Sequence, residues 1–77
     1  MAIGFVLIKA APGHEHEVYN KLSKVREIKE LYPLFGEYDL ITKIEVEDFE
    51  KLGSIVVNKI RLIDGVIDTK TLTGLTF

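Results

Sequence analysis

Apolar positions alternate with others over residues 3–9, Ile-Gly-Phe-Val-Leu-Ile-Lys, and predict a strand. Ile3, Phe5 and Leu7 fall on one face, Val6 and Ile8 on the other, so both faces call for cover. Ala11-Pro12-Gly13 breaks the pattern. Val18, Leu22 and Val25 then recur at i, i+4 and i+7, which predicts a helix over 14–26. Glu15 and Glu17 near its start and Lys21, Lys24 and Arg26 near its end suit the helix dipole. Residues 27–35 carry Ile28, Leu31, Leu34 and Phe35 around Pro33, which predicts an edge strand with an irregularity at the proline. Gly36-Glu37-Tyr38-Asp39 is a turn. Residues 40–46 form a strand with Leu40, Thr42, Ile44 and Val46 against Ile41, Lys43 and Glu45. Asp48 is an N-cap for a helix carrying Phe49, Leu52, Val56 and Ile60 through residue 61. Asp64-Gly65 turns the chain into a last strand, 66–73.

The order β-α-β-β-α-β predicts an α+β, ferredoxin-like domain. Four antiparallel strands carry both helices on one face. Residues 1–77 form a single domain with no linker or low-complexity segment. A chain of this size buries only about 60% of its unfolded surface. With no cysteine, neither a disulfide nor a thiolate metal site can add stability. Yet 47% of the residues are hydrophobic. The sheet face away from the helices is apolar and no residues remain to cover it. A second copy, packed sheet against sheet about a two-fold axis, is the expected cover.

The net charge of -2, with signs interspersed, disfavours direct nucleic-acid binding. No apolar run is long enough to span a membrane, and the N-terminus lacks a signal-peptide layout. The expectation is a cytoplasmic protein. The absence of glutamine and the 29% of charged residues lean towards a heat-adapted source.

Candidate chemistry concentrates at Gly36-Glu37-Tyr38-Asp39. Gly36 permits a positive φ or a close backbone approach, which frees neighbouring N–H groups to meet an anion. Tyr38 can wall such a site and Asp39 can attract an ammonium group. A plain hairpin turn, with Asp39 bonded to its own backbone and Tyr38 packed on the core, is the competing reading. His14 and His16 stand two apart at a helix start, where side chains diverge, so they predict no metal site. Glu45, Glu47, Asp48 and Glu50 read as a solvated strand end and a helix cap, and no cofactor is implied.

Further features stand in order along almost the whole chain. Leu31-Tyr32-Pro33-Leu34-Phe35 leads into the Gly-x-Tyr-Asp loop. Asp39-Leu40-Ile41-Thr42-Lys43-Ile44 and the Asp48-Phe49 helix start follow, then Gly65-Val66 before Thr69-Lys70-Thr71. Together they resemble the effector-binding domain of the Lrp/AsnC (feast/famine) transcription regulators, in a stand-alone form lacking the helix-turn-helix half. Asp64 stands where the family usually has proline. The resemblance implies a regulatory module rather than an enzyme. Its partners would be a small amino acid effector, a homodimer assembling to an octamer or decamer, and a full-length Lrp/AsnC regulator for contact with DNA. It implies a ligand site at Gly36, Glu37, Tyr38 and Asp39, with Thr69 and Thr71 or neighbouring residues of the last strand from another subunit. The alternatives are a small dimeric ferredoxin-like enzyme of the cofactor-independent monooxygenase kind, for which Thr42, Thr69 and Thr71 are the few polar strand groups, and an oligomeric scaffold without ligand.

Overall fold

The computed structural model describes residues 1–75. The elements run β1 (Ala2–Ala10), α1 (Glu15–Leu22), β2 (Ile28–Pro33), β3 (Leu40–Val46), α2 (Phe49–Ile55), a π-helical segment (Val56–Ile60) and β4 (Val66–Thr73). The strands form one sheet in the order β2-β3-β1-β4, every neighbouring pair antiparallel. This is the ferredoxin-like arrangement that the element order predicts.

Strict alternation places the core. Ala2, Val6, Ile8 and Ala10 of β1 and Leu40, Ile44 and Val46 of β3 are buried beneath Val18 and Leu22 of α1 and Leu52, Ile55, Val56 and Ile60 of the second helical stretch. Thr42 is the one buried polar side chain among the described residues, and its hydroxyl donates to the Val6 carbonyl at 3.4 Å. Gly4 occupies the core position of β1 that passes closest to α2: a Cβ there would lie 2.6 Å from Leu52 Cδ2 and 3.1 Å from its Cγ. Gly4→Ala is therefore expected to cost about 1–3 kcal/mol by overpacking. Urea unfolding at fixed protein concentration checks it. The double variant Gly4→Ala/Leu52→Ala should lose less than the sum of the two singles, because both act on one contact.

Two features of the first half differ from those the pattern predicts. α1 ends at Leu22 rather than at residue 26. The Ser23 hydroxyl donates to the Asn20 carbonyl at 2.6 Å, and the following N–H groups of Lys24 and Val25 reach back only three residues, to Lys21 and Leu22. A serine that bonds its preceding turn competes with helix continuation. In β2 the irregularity lies between Ile28 and Glu30, not at Pro33. Pro33 is the last residue of an edge strand, and the ladder bond beyond it runs from Leu34 N–H to the Asp39 carbonyl at 2.8 Å. The missing proline donor thus falls on the open side.

The second helix begins as predicted, with the Asp48 carboxylate accepting from Lys51 N–H at 2.7 Å. Beyond Ile55 the α pattern widens, and Arg61 N–H bonds to the Val56 carbonyl five residues back at 2.9 Å. Val56 and Ile60, at the two ends of this segment, are both buried. Phe49, expected on the buried stripe, is 56% exposed, and Ile55 takes a place there instead.

Candidate ligand site and the uncovered sheet face

The Gly36–Asp39 loop tops the β2–β3 hairpin. Gly36 has φ of +149°, and a Cβ there would meet nothing within 4 Å. Glycine is needed at this position for the backbone angle, not for close approach of another part of the chain. Asp39 is the anchor of the loop. Its N–H donates to the Ile8 carbonyl at 2.9 Å, and its Oδ2 accepts from Ala10 N–H at 2.8 Å. The carboxylate thus bonds to the backbone of β1, not to its own. Tyr38 is half-buried, with the Lys9 ammonium 5.9 Å from its ring centre, within cation–π range. Gly36 and Glu37 are exposed. Among the described residues, the N–H groups of Phe35, Gly36, Glu37 and Tyr38 donate to no protein acceptor. Phe35 projects fully into solvent at the tip.

Asp39 also lines a cavity of about 300 Å³ between the first turns of α1 and the end of the hairpin. Glu15, His16 and Tyr19 come from the helix, Pro33 and Leu40 from the strands, and Leu34 follows the end of β2. The wall is mainly apolar and its charged groups are acidic, which suits a small ligand with a cationic end and an apolar body. The spacing of residues along the chain gives no sign of this meeting of α1 with the hairpin, because it arises from how the helix crosses the sheet. His14 turns away, with Nδ1 3.3 Å from the Pro12 carbonyl.

Thr69 and Thr71 share the helix-side face of β4, opposite Ile8 and Val6. Thr69 is half-buried and its Oγ1 accepts from Arg61 Nε at 3.1 Å; Thr71 is exposed. Leu40 and Thr69 both pair with Ile8, from opposite sides. The loop and the threonines are therefore separated within one chain by two interstrand spacings, about 10 Å. One chain brings Gly36, Glu37, Tyr38 and Asp39 together and leaves Thr69 and Thr71 apart from them.

The other face of the sheet is uncovered. It presents Ile3, Phe5 and Leu7 from β1, Ile41 from β3, Tyr32 from β2 and Leu72 from β4; Tyr32 is 54% and Leu72 46% exposed. Phe49, Met1 and Leu75 border its end beside Ile3 and Phe5. A polar ladder crosses this face: the Tyr32 hydroxyl donates to Glu30 Oε1 at 2.9 Å, and Lys43 Nζ lies 3.4 Å from Glu30 Oε2. The Tyr32 hydroxyl and the Lys43 ammonium hold the Glu30 carboxyl below its ordinary range, and Glu30 in turn raises the Tyr32 phenol. On the helix side, the Lys59 ammonium 3.1 Å from Glu27 lowers that carboxyl. Among the described residues no helix is long and apolar enough to cross a membrane.

Residues 3–75 match the Lrp/AsnC ligand binding domain. The HTH-type transcriptional regulator FL11 of Pyrococcus furiosus is 37% identical over 70 residues, which cover 91% of this chain and 46% of that regulator. The chain spans about half the length of the curated relatives it matches. The crystal structure of FFRP-DM1 superposes with a TM-score of 0.92 at 37% identity, covering 97% of this chain and 100% of that one. AsnC of E. coli gives a TM-score of 0.91 at 26% identity, covering 99% of this chain and 52% of AsnC.

Proposed function

The chain belongs to the Lrp/AsnC ligand-binding domain family, and on that premise we propose that it is a regulatory module, not an enzyme, that binds a small amino acid. The match over residues 3–75 to the ligand-binding half of transcriptional regulators carries the reading. The local chemistry supports it. Asp39 and Glu15 give the cavity beneath the loop an acidic side for an ammonium group, and Pro33, Leu34 and Leu40 give it an apolar wall. Unpaired N–H groups at Gly36 and Glu37 stand ready for an anionic group nearby.

The protein acts as a homodimer closed through its uncovered sheet face, and the dimers assemble further, to an octamer or decamer. Gly36, Glu37, Tyr38 and Asp39 meet Thr69 and Thr71 of another copy where dimers touch, since one chain holds them about 10 Å apart. Effects on transcription pass through a DNA-binding regulator carrying the same domain.

A thermal-shift screen against the proteinogenic amino acids tests the reading. A ligand present at 100 times its dissociation constant should stabilise the folded assembly by about 2.7 kcal/mol, a rise of roughly 10–20 °C in a domain this small. An unchanged midpoint with every amino acid at millimolar concentration would remove amino-acid binding and leave an assembling scaffold.

A further inference from the structure

Arg61 follows the π-helical segment and reaches the first half of β4. Its Nε donates to Thr69 Oγ1 at 3.1 Å, which fixes one edge of the guanidinium against the strand. Among the described residues no carboxylate stands within ion-pair distance of it. The two terminal nitrogens, with their four coplanar N–H donors, remain available, and that fork matches the two oxygens of a carboxylate.

The surroundings form a receptacle. Arg61, Val66, Ile67, Asp68 and Thr69 line a cavity of about 410 Å³ open to solvent. Asp68 is anchored there, its Oδ1 accepting from Thr69 N–H at 2.9 Å. Ile67 is 59% exposed and supplies an apolar contact. A fixed guanidinium attracts an anion, and the fixed Asp68 carboxylate on the same rim offsets part of that attraction in proportion to the anion's charge.

We propose that Arg61, positioned by Thr69, receives the α-carboxylate of the amino acid. The inference rests on the amino-acid reading above and deepens it. The acidic cavity under Asp39 supplies a place for the ammonium group and no arginine or lysine for the carboxylate. The Arg61 cavity supplies the missing charge, and it lies across β1 from the loop in the same chain. A complete site thus joins Asp39 of one copy to Arg61 of another.

The test follows the Arg61 Nε–Hε resonance in proton–nitrogen spectra of the wild-type protein, assigned by its loss in Arg61→Lys. Sodium acetate and methylammonium chloride are titrated at matched ionic strength. Acetate should shift the resonance saturably, and methylammonium should leave it unmoved. In parallel, Arg61→Gln should weaken by about tenfold or more the amino acid that most stabilises the wild type, and Arg61→Lys should recover part of the loss, since an ammonium keeps the charge but not the fork. A resonance that acetate leaves unmoved overturns the proposal. So does wild-type affinity in Arg61→Gln, with the amino-acid reading left standing. If acetate moves Arg61 but no amino acid stabilises the protein, the carboxylate cradle stands and the amino-acid reading falls.

Discussion

At micromolar concentration the purified chain should sediment as a dimer or a larger species, without appreciable monomer, and Phe5→Glu should break that assembly. Phe5 lies on the central strand β1, between Lys43 of β3 and Leu72 of β4, in the middle of the uncovered face. In a two-fold packing of sheet on sheet, two introduced carboxylates would be buried near the axis, each beside only a Lys43 ammonium that already pairs with Glu30. Burying even one unpaired charge costs several kcal/mol. A loss of about 4 kcal/mol raises the dimer dissociation constant roughly a thousandfold, so micromolar protein would separate. The core below should tolerate the change, because the buried positions of β1 are Ala2, Gly4, Val6, Ile8 and Ala10, on the opposite face. Sedimentation velocity together with circular dichroism reads both effects. A wild-type chain that stays a folded monomer on dilution would overturn the assembly.

That face was legible in the sequence because strand periodicity is two and admits no drift. Leu40, Thr42, Ile44 and Val46 are buried and Ile41, Lys43 and Glu45 are not, as the alternation predicts. The two-faced apolar pattern of β1 and the Asp48 cap were legible for the same reason: each depends on neighbours within a few residues. Helix ends were less so. The stop at Leu22 depends on which carbonyl the Ser23 hydroxyl takes, and Val25 continues the periodic stripe past the point where the backbone has left it. The π-helical turn was invisible, because Val56 and Ile60 sit four apart in either helix type. Phe49 misleads in a different way: its spacing fits the stripe, while its place near the cap leaves it beside the uncovered face.

The candidate site divides along the same line. The loop Gly36–Asp39 is a contiguous motif and reads directly. Glu15, His16 and Tyr19 join it only because α1 crosses the end of the hairpin, and Arg61 meets Thr69 only because the π-helical segment delivers it to β4. Long-range meetings of this kind leave no periodic trace. The expected turn bond from Asp39 to its own backbone is replaced by one to another strand: one carboxylate oxygen serves the backbone of β1, and among the described residues the other accepts no hydrogen bond.

Asp39 is therefore the position at which the proposed ligand role can be separated from the structural one. Asp39→Asn keeps an oxygen to accept from Ala10 N–H and removes the charge. The fold should lose under about 1 kcal/mol, the difference between a charged and a neutral hydrogen bond. A ligand ammonium would lose a charged partner worth about 1.5–3 kcal/mol, so amino-acid affinity should fall about tenfold or more. Asp39→Ala removes both functions. It strands the Ala10 N–H in a half-buried setting, for a further stability loss of about 1–3 kcal/mol. Gly36→Val acts through the backbone alone, since the space around Gly36 is open but its φ of +149° is one that a β-branched residue rarely adopts. Chemical denaturation and calorimetry on the three variants separate the roles. If Asp39→Asn and Gly36→Val both bind the amino acid as the wild type does, while Asp39→Ala is destabilised, then Asp39 is a structural cap on β1 and the ligand lies elsewhere. If Asp39→Asn is as stable as the wild type and binds at least tenfold more weakly, the free oxygen of Asp39 is the group that holds the ammonium.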